Sequence, residues 1–351
     1  SLQLRLTSPR NPRAIYFIED LYIGCIPSGR IEIVSIDPSP GAIFYIFDIP
    51  CPGAGPADLS FDRSGRCMNC HVDTQIREVP GLTISSVVPG PRGGSMDSFR
   101  SGLSGHQIPL GDRLGGWHVP GEHHLAQHPG NLIGNFVDGD LVTEPVPPGG
   151  RFDFARFPAK TSDILAHLLL EHQVGFLNRV IEVSYRARAY AFSRGAGELT
   201  PVQEAELDRV AEELVKYLLF SGEAALRQGG IDGDVAPVDA FMQKRIVGSE
   251  GRSLRDLQLR SRMFTCRCSY MIYSKALAAM PELVRDRVWR RLFHAHGSRS
   301  LLDATLGIGP EPGWGKLATS TNQSDFNRTS SDPSRFPQTE AGVPDSGPPA
   351  Q

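Results

Sequence analysis

Two cysteines three positions apart with a histidine directly after the second, Cys67-Met68-Asn69-Cys70-His71, are the residues of this chain whose types and spacing can do the most chemistry. Thiols at that spacing reach the two vinyl groups of one heme, and the imidazole that follows covers its iron. This is the C-x-x-C-H pattern of c-type heme attachment. A zinc reading of the same cysteines needs a second ligand pair at matching spacing, and Cys266 and Cys268 have only one residue between them. A thioredoxin-like reading needs a βαβ frame, which Gly-rich surroundings do not offer. The expectation is therefore one covalently attached heme c on Cys67 and Cys70, with His71 as its proximal ligand.

The sixth ligand decides the function. A strong-field ligand makes an electron carrier, whereas an open position admits small molecules to the iron. His172 is the first candidate, because it falls among Leu168, Leu169 and Phe176 on a helical apolar stripe, and a buried imidazole needs a partner. His128, in Gln127-His128-Pro129-Gly130-Asn131, and the pair His123 and His124 are loop alternatives, and Met96 is the best methionine; Met242, Met263 and Met271 read as core. Arg113 matches a heme propionate in bidentate fashion, with a structural salt bridge as the alternative. Gly115 and Gly116 beside it would let the backbone approach the macrocycle. Glu171 reads as a surface carboxylate, or else as a group that orients its neighbour His172. Arg252, Arg255, Arg260 and Arg262 read as a solvated helix face.

These residues need elements to position them, and the pattern predicts an α+β chain. Ile15 to Ile18, Ile31 to Val34 and Ala42 to Phe47, separated by Pro- and Gly-bearing turns, read as an antiparallel β meander within residues 1–60. Residues 61–160 are a loop-rich heme-binding segment, long enough to require an organiser other than secondary structure. A helical half over 161–315 packs on it. It opens with Thr161-Ser162-Asp163 as a capping signal before Leu165, Leu168, Leu169, His172, Phe176, Val180 and Val183, and continues with a second helix from Thr200-Pro201 toward Gly222. Shorter helices are expected over 253–259 and 281–293. Residues 316–351, rich in Ser, Thr, Pro, Asp and Gly, read as a disordered tail.

Composition narrows the partners. A net charge of −3 with interleaved basic and acidic residues excludes a phosphate-binding field, so nucleic acid is not expected. No apolar run is long enough for a transmembrane segment. Cys25, Cys51, Cys266 and Cys268 are an even set outside the motif, open to disulfide pairing in an oxidising compartment or to a role as buried thiols.

Several phrases are also familiar in combination: Ser8-Pro9-Arg10-Asn11-Pro12-Arg13, Gly41-Ala42-Ile43-Phe44-Tyr45, Arg66-Cys67-Met68-Asn69-Cys70-His71, Gly115-Gly116-Trp117, His128-Pro129-Gly130-Asn131, Glu171-His172-Gln173 and Cys268-Ser269-Tyr270-Met271-Ile272-Tyr273-Ser274. In this order, over about residues 8 to 295, the chain resembles a family of secreted bacterial monoheme proteins known as cytochrome c domain-containing. The resemblance implies one heme and a periplasmic or extracellular location, and it implies no reaction. Where the family has Arg-Trp-Gly-Gly-Trp-Tyr-Val-Thr-Gly, this chain has Arg113-Leu114-Gly115-Gly116-Trp117-His118-Val119-Pro120-Gly121. The expected function is an exported monoheme cytochrome passing single electrons to a redox partner protein. The alternatives are a peroxidase- or oxidase-like heme enzyme with an open distal site, and a structural subunit of a larger electron-transfer assembly.

Overall fold

In the strand Gly41–Phe47 alternate side chains, Ala42, Phe44 and Ile46, are buried, as a sheet with one face against a core requires. A computed structural model describes residues 6–37, 39, 41–48, 62–72, 76–98, 103–119, 128–146, 152–159, 162–226, 229–248 and 251–296. They all belong to one compact unit, Ser1–Ile308; a second unit, Gly309–Gln351, lies outside them. Cys51, His123, His124 and the expected tail over 316–351 also lie outside the described residues.

The chain is α+β. Strands β1 (Ala14–Phe17), β2 (Leu21–Cys25), β3 (Ile31–Asp37), β4 (Gly41–Phe47) and β5 (Asp62–Arg63) form one antiparallel sheet in sequence order. The meander thus has two strands more than the pattern predicts, β2 and the short β5. β5 pairs Arg63 with Tyr45 and Asp62 with Ile46. It delivers the chain from the sheet directly into Cys67 to His71, whose last four residues form the helical turn α1 (Met68–His71).

Residues 76–159 carry more regular structure than their composition suggests. Hairpins form between β6 (Val87–Pro89) and β7 (Ser95–Ser98), and between β8 (Leu132–Val137) and β9 (Asp140–Pro145). The second turns at Asp138-Gly139, both at positive φ, the conformation a two-residue hairpin connection demands.

The helical half is built on α2 (Ile164–Arg194), capped by the Asp163 carboxylate, which accepts from the N–H groups of Leu165 and Ala166. α3 (Pro201–Leu218) starts with a capping box between Thr200 and Gln203. α4 (Val235–Met242), α5 (Lys275–Ala278) and α6 (Glu282–His296) follow, and α3 and α6 both pack on α2. The helix expected over 253–259 is absent. Those residues form a turn in which Asp256 accepts from the Ser253 N–H, closed by a bridge between Leu257 and Phe264. Arg255 is correspondingly not on a solvated face: it is buried, pairs with Glu19 at 2.5 Å and lies over the Tyr270 ring. No described helix is long and apolar enough to cross a membrane.

Candidate functional site

On the turn Cys67 to His71 the two cysteines are three positions apart, which places both thiols on one side of the helix. Cys67 is half-buried, Cys70 is exposed, and both are free thiols. The His71 ring packs on Phe44 with centroids 4.6 Å apart, and its Nδ1 lies 2.9 Å from the Gly81 carbonyl oxygen. A carbonyl only accepts, so Nδ1 carries the proton and donates it. The Nε2 lone pair is then the one available to a metal, the arrangement in which protein imidazoles ligate iron. Burial lowers the pKa of His71, which keeps the ring neutral. Gly81 returns a second bond, its N–H donating to the His71 carbonyl. Among the described residues no three His, Cys, Asp or Glu side chains converge as a site for a bare ion.

The far side of this contact is the long helix. Along α2, His167, Glu171, Asn178 and Glu182 are separated by four, seven and four residues. At 100° per residue they fall within about 60° of one another, on a stripe about 22 Å long. Each meets a partner from the preceding segment, in reverse chain order. Glu182 pairs with Arg77 at 2.5 Å. The Asn178 carboxamide accepts from the Leu82 N–H (2.9 Å) and donates to the Leu82 carbonyl (2.8 Å). Glu171 faces Arg113 at 3.2 Å. His167 meets the edge of the Trp117 ring, centroids 4.7 Å apart. Arg77, Leu82, Arg113 and Trp117 thus meet α2 in reverse chain order as a ladder of three polar contacts and one aromatic contact, with His71 beside the Asn178 contact.

This ladder reassigns Arg113. Its guanidinium is 2% exposed, lies against Glu171 and donates to the Gly105 carbonyl at 3.0 Å. Its charge is compensated inside the protein, and it is not held out to a propionate. Glu171, expected on the surface, is equally buried, and burial pushes its pKa up to about 7 against the opposing charge of Arg113. The Arg113 Nε and Glu171 Oε2 atoms are close without the alignment of a hydrogen bond, so their attraction is Coulombic. Gly115 and Gly116 also serve a protein contact. A Cβ on Gly115 would lie 2.7 Å from the Val87 backbone, and it is β6, not a macrocycle, that the glycines admit.

His172 points elsewhere, about 120° around α2 from Asn178. It is fully buried as expected, but both ring nitrogens are engaged: Nδ1 with His106 Nδ1 at 2.8 Å and Nε2 with the Ser269 hydroxyl at 2.7 Å. It stacks on Phe220 with centroids 4.8 Å apart. Burial, with the charges of Arg113 and Arg179, pulls its pKa down to about 3. It has no nitrogen to offer iron in this arrangement. Ser269, His172 and His106 have the connectivity of a nucleophilic relay, yet none is more than 1% exposed, and Ser269 already accepts from the Met271 N–H. The relay holds the core together. His128 accepts from the Gly130 N–H through Nδ1. Its loop packs against Leu114, and Asn131 donates to the Trp117 carbonyl. That is the His167 end of the ladder, about 16 Å along α2 from the Asn178 end where His71 is held. Met96 packs over Gly90 and Gly134 between the two hairpins. Cys25, Cys266 and Cys268 are free thiols, and burial pushes Cys268 up to about 12.

His167 and Asn178 are among the polar residues that the sequence pattern leaves unremarked. His167 is buried with neither ring nitrogen hydrogen-bonded to protein, and its pKa is pulled down to about 3 by burial and by Arg113. The available signal was the second periodicity in α2: polar residues spaced at four, seven and four beside an apolar stripe mark a helix covered on two sides.

The chain matches no protein-family profile, no curated protein and no solved structure.

Proposed function

We propose that this protein is an exported c-type monoheme cytochrome, with one heme c attached through Cys67 and Cys70 and ligated by His71. The observation that carries the proposal is the His71 imidazole, neutral and tied through Nδ1 to the Gly81 carbonyl, on the same helical turn as two free thiols. When bound, the heme supplies one-electron chemistry. The protein fixes the ligand tautomer through Gly81, shields one side of the ring with Phe44, and leaves Cys70 exposed. Attachment at an exposed cysteine suits exchange with a redox partner protein at the surface. The family resemblance over residues 8–295 agrees, and covalent heme attachment implies maturation outside the cytoplasm, in the periplasm or beyond.

A second reading, a heme that binds small molecules at an open distal position, is favoured by one observation: His172, the first candidate for the sixth ligand, has both ring nitrogens engaged inside the protein. Optical spectra of oxidised and reduced protein separate the two. Low-spin, cyanide-insensitive iron supports the electron carrier, and high-spin iron that binds cyanide supports the second reading.

The test of attachment is intact mass after expression with a cytochrome c maturation system. The full chain should exceed its polypeptide mass by one heme, and Cys67→Ala/Cys70→Ala should have the bare mass; a wild-type protein at polypeptide mass overturns the proposal. A companion prediction concerns His172→Ala. Its visible spectrum should match that of the wild type while stability falls by about 2 kcal/mol, from the cavity and the hydrogen-bond partners left behind. Conversion of low-spin to high-spin iron in this variant would restore His172 as a ligand.

A further inference from the structure

The hydrogen bond that orients His71 is itself held from behind. The Gly81 carbonyl that accepts the His71 Nδ1 proton and the Leu82 N–H that donates to Asn178 Oδ1 are the two ends of one peptide group. That group is planar and stiff, so turning either end turns the other. Asn178 grips the next carbonyl as well, through Nδ2 to Leu82 O. On the other side the Pro80 carbonyl accepts from the Ala42 N–H of β4. Three successive carbonyls, those of Pro80, Gly81 and Leu82, thus have three different partners, from the sheet, the motif and the long helix. The fit leaves no slack: a Cβ on Gly81 would lie 2.4 Å from Asn178 Oδ1. Asn178 is 6% exposed, and both of its polar groups are used in this one contact.

We infer that Asn178 is a positioning residue for His71, acting through the Gly81–Leu82 peptide to set the tautomer and the electron-donating strength of the imidazole. The inference rests on the heme reading for its consequence and on the chain alone for its geometry. An acceptor at the N–H end of a peptide polarises its carbonyl and makes it a better acceptor. A stronger bond from the His71 Nδ1–H then makes Nε2 more basic. A more basic axial ligand favours the oxidised metal, so Asn178 lowers the reduction potential of a heme bound at His71. Asn178→Ala removes both bonds. Asn178→Asp keeps an acceptor for the Leu82 N–H while losing the donor to its carbonyl, and Asn178→Leu fills the space without either.

The test has two arms on the full chain. In protein made without heme, ¹⁵N chemical shifts of the His71 ring report the tautomer directly. The wild type should be in the Nδ1–H form, Asn178→Ala and Asn178→Leu should shift to a mixture, and Asn178→Asp should stay close to the wild type. In heme-loaded protein of confirmed mass, the reduction potential should rise in Asn178→Ala and Asn178→Leu, and in Asn178→Asp it should lie at or below the wild-type value. Circular dichroism identifies variants that fail to fold, and Asn178→Asp keeps the comparison available if Asn178→Ala is one of them. A His71 ring with the same tautomer in every folded variant overturns the inference even where heme is bound. A wild-type chain without heme overturns the cofactor reading and leaves the tautomer arm to decide on Asn178.

Discussion

Replacing Arg113 by Met should destabilise the protein by about 3–5 kcal/mol, the range for removing one member of a buried ion pair. Arg113 and Glu171 are 2% and 3% exposed, and they face each other at 3.2 Å. Without the guanidinium, Glu171 must either stay charged in a low-dielectric interior or take up a proton, and the Gly105 carbonyl, which also accepts from the Ile108 N–H, loses one of its two donors. The measurement is urea denaturation at pH 7.5 of the wild type, Arg113→Met, Glu171→Leu and the double variant. Because the pair is attractive without being a straight hydrogen bond, the double variant should recover much of the single-variant loss, as apolar replacements of buried pairs often do. A single-variant loss below about 1 kcal/mol, or losses that simply add in the double variant, would show that the rung carries no coupling between residues 105–113 and α2.

The second large effect is acid lability. His167 and His172 are fully buried with pKa values pulled from 6.5 down to about 3, and burial lowers His106 in the same direction. A histidine whose folded pKa is depressed contributes stability that is complete above the unfolded value of 6.5 and is lost as pH falls toward the folded one. At about 1.4 kcal/mol per pH unit per group, His167 and His172 together should lose about 4 kcal/mol of stability between pH 6.5 and pH 5. Glu171 acts the other way. Its pKa is raised from 4.5 to about 7, so its contribution is complete below 4.5 and is lost as pH rises through 7, which offsets part of the histidine effect. Glu171 recovers about 2 kcal/mol over that interval, so stability should fall by about 2 kcal/mol from pH 7 to pH 5, and Glu171→Gln, which removes the offset, should make the fall steeper. Unfolding free energies measured across that interval that stay level in the wild type would mean that these imidazoles titrate normally in the folded state.

How much of this was legible in the residues follows from the range of the interactions involved. The C-x-x-C-H pattern of Cys67 to His71 is local: five consecutive residues make it, and no tertiary contact is needed to read it. The strands of the sheet are legible where apolar residues alternate, as in Gly41–Phe47, and less so at Leu21–Cys25, where alternation is short and broken by Gly24. Helix starts at Asp163 and Thr200 are legible because a cap is a bond between neighbours. That His172 is buried follows from its place on the apolar stripe.

What the imidazole meets in the interior does not follow from that place. His106 lies 66 residues from His172 and Ser269 lies 97 residues away, and no local pattern announces either. Arg113 reads alone as a propionate partner or a salt-bridge residue and Glu171 as a surface carboxylate or an orienting group, and only the fold brings the two together as a buried pair. The same holds for Asn178, whose role exists because Leu82 arrives beside it with its peptide group turned toward His71. The sequence by itself determined the C-x-x-C-H pattern, the α+β order and the helix caps, since each rests on spacing along one chain segment. The partners of His172, Arg113 and Asn178 were decided by tertiary structure alone, because a buried polar group takes its hydrogen bonds from whichever distant segment the fold brings within 3 Å.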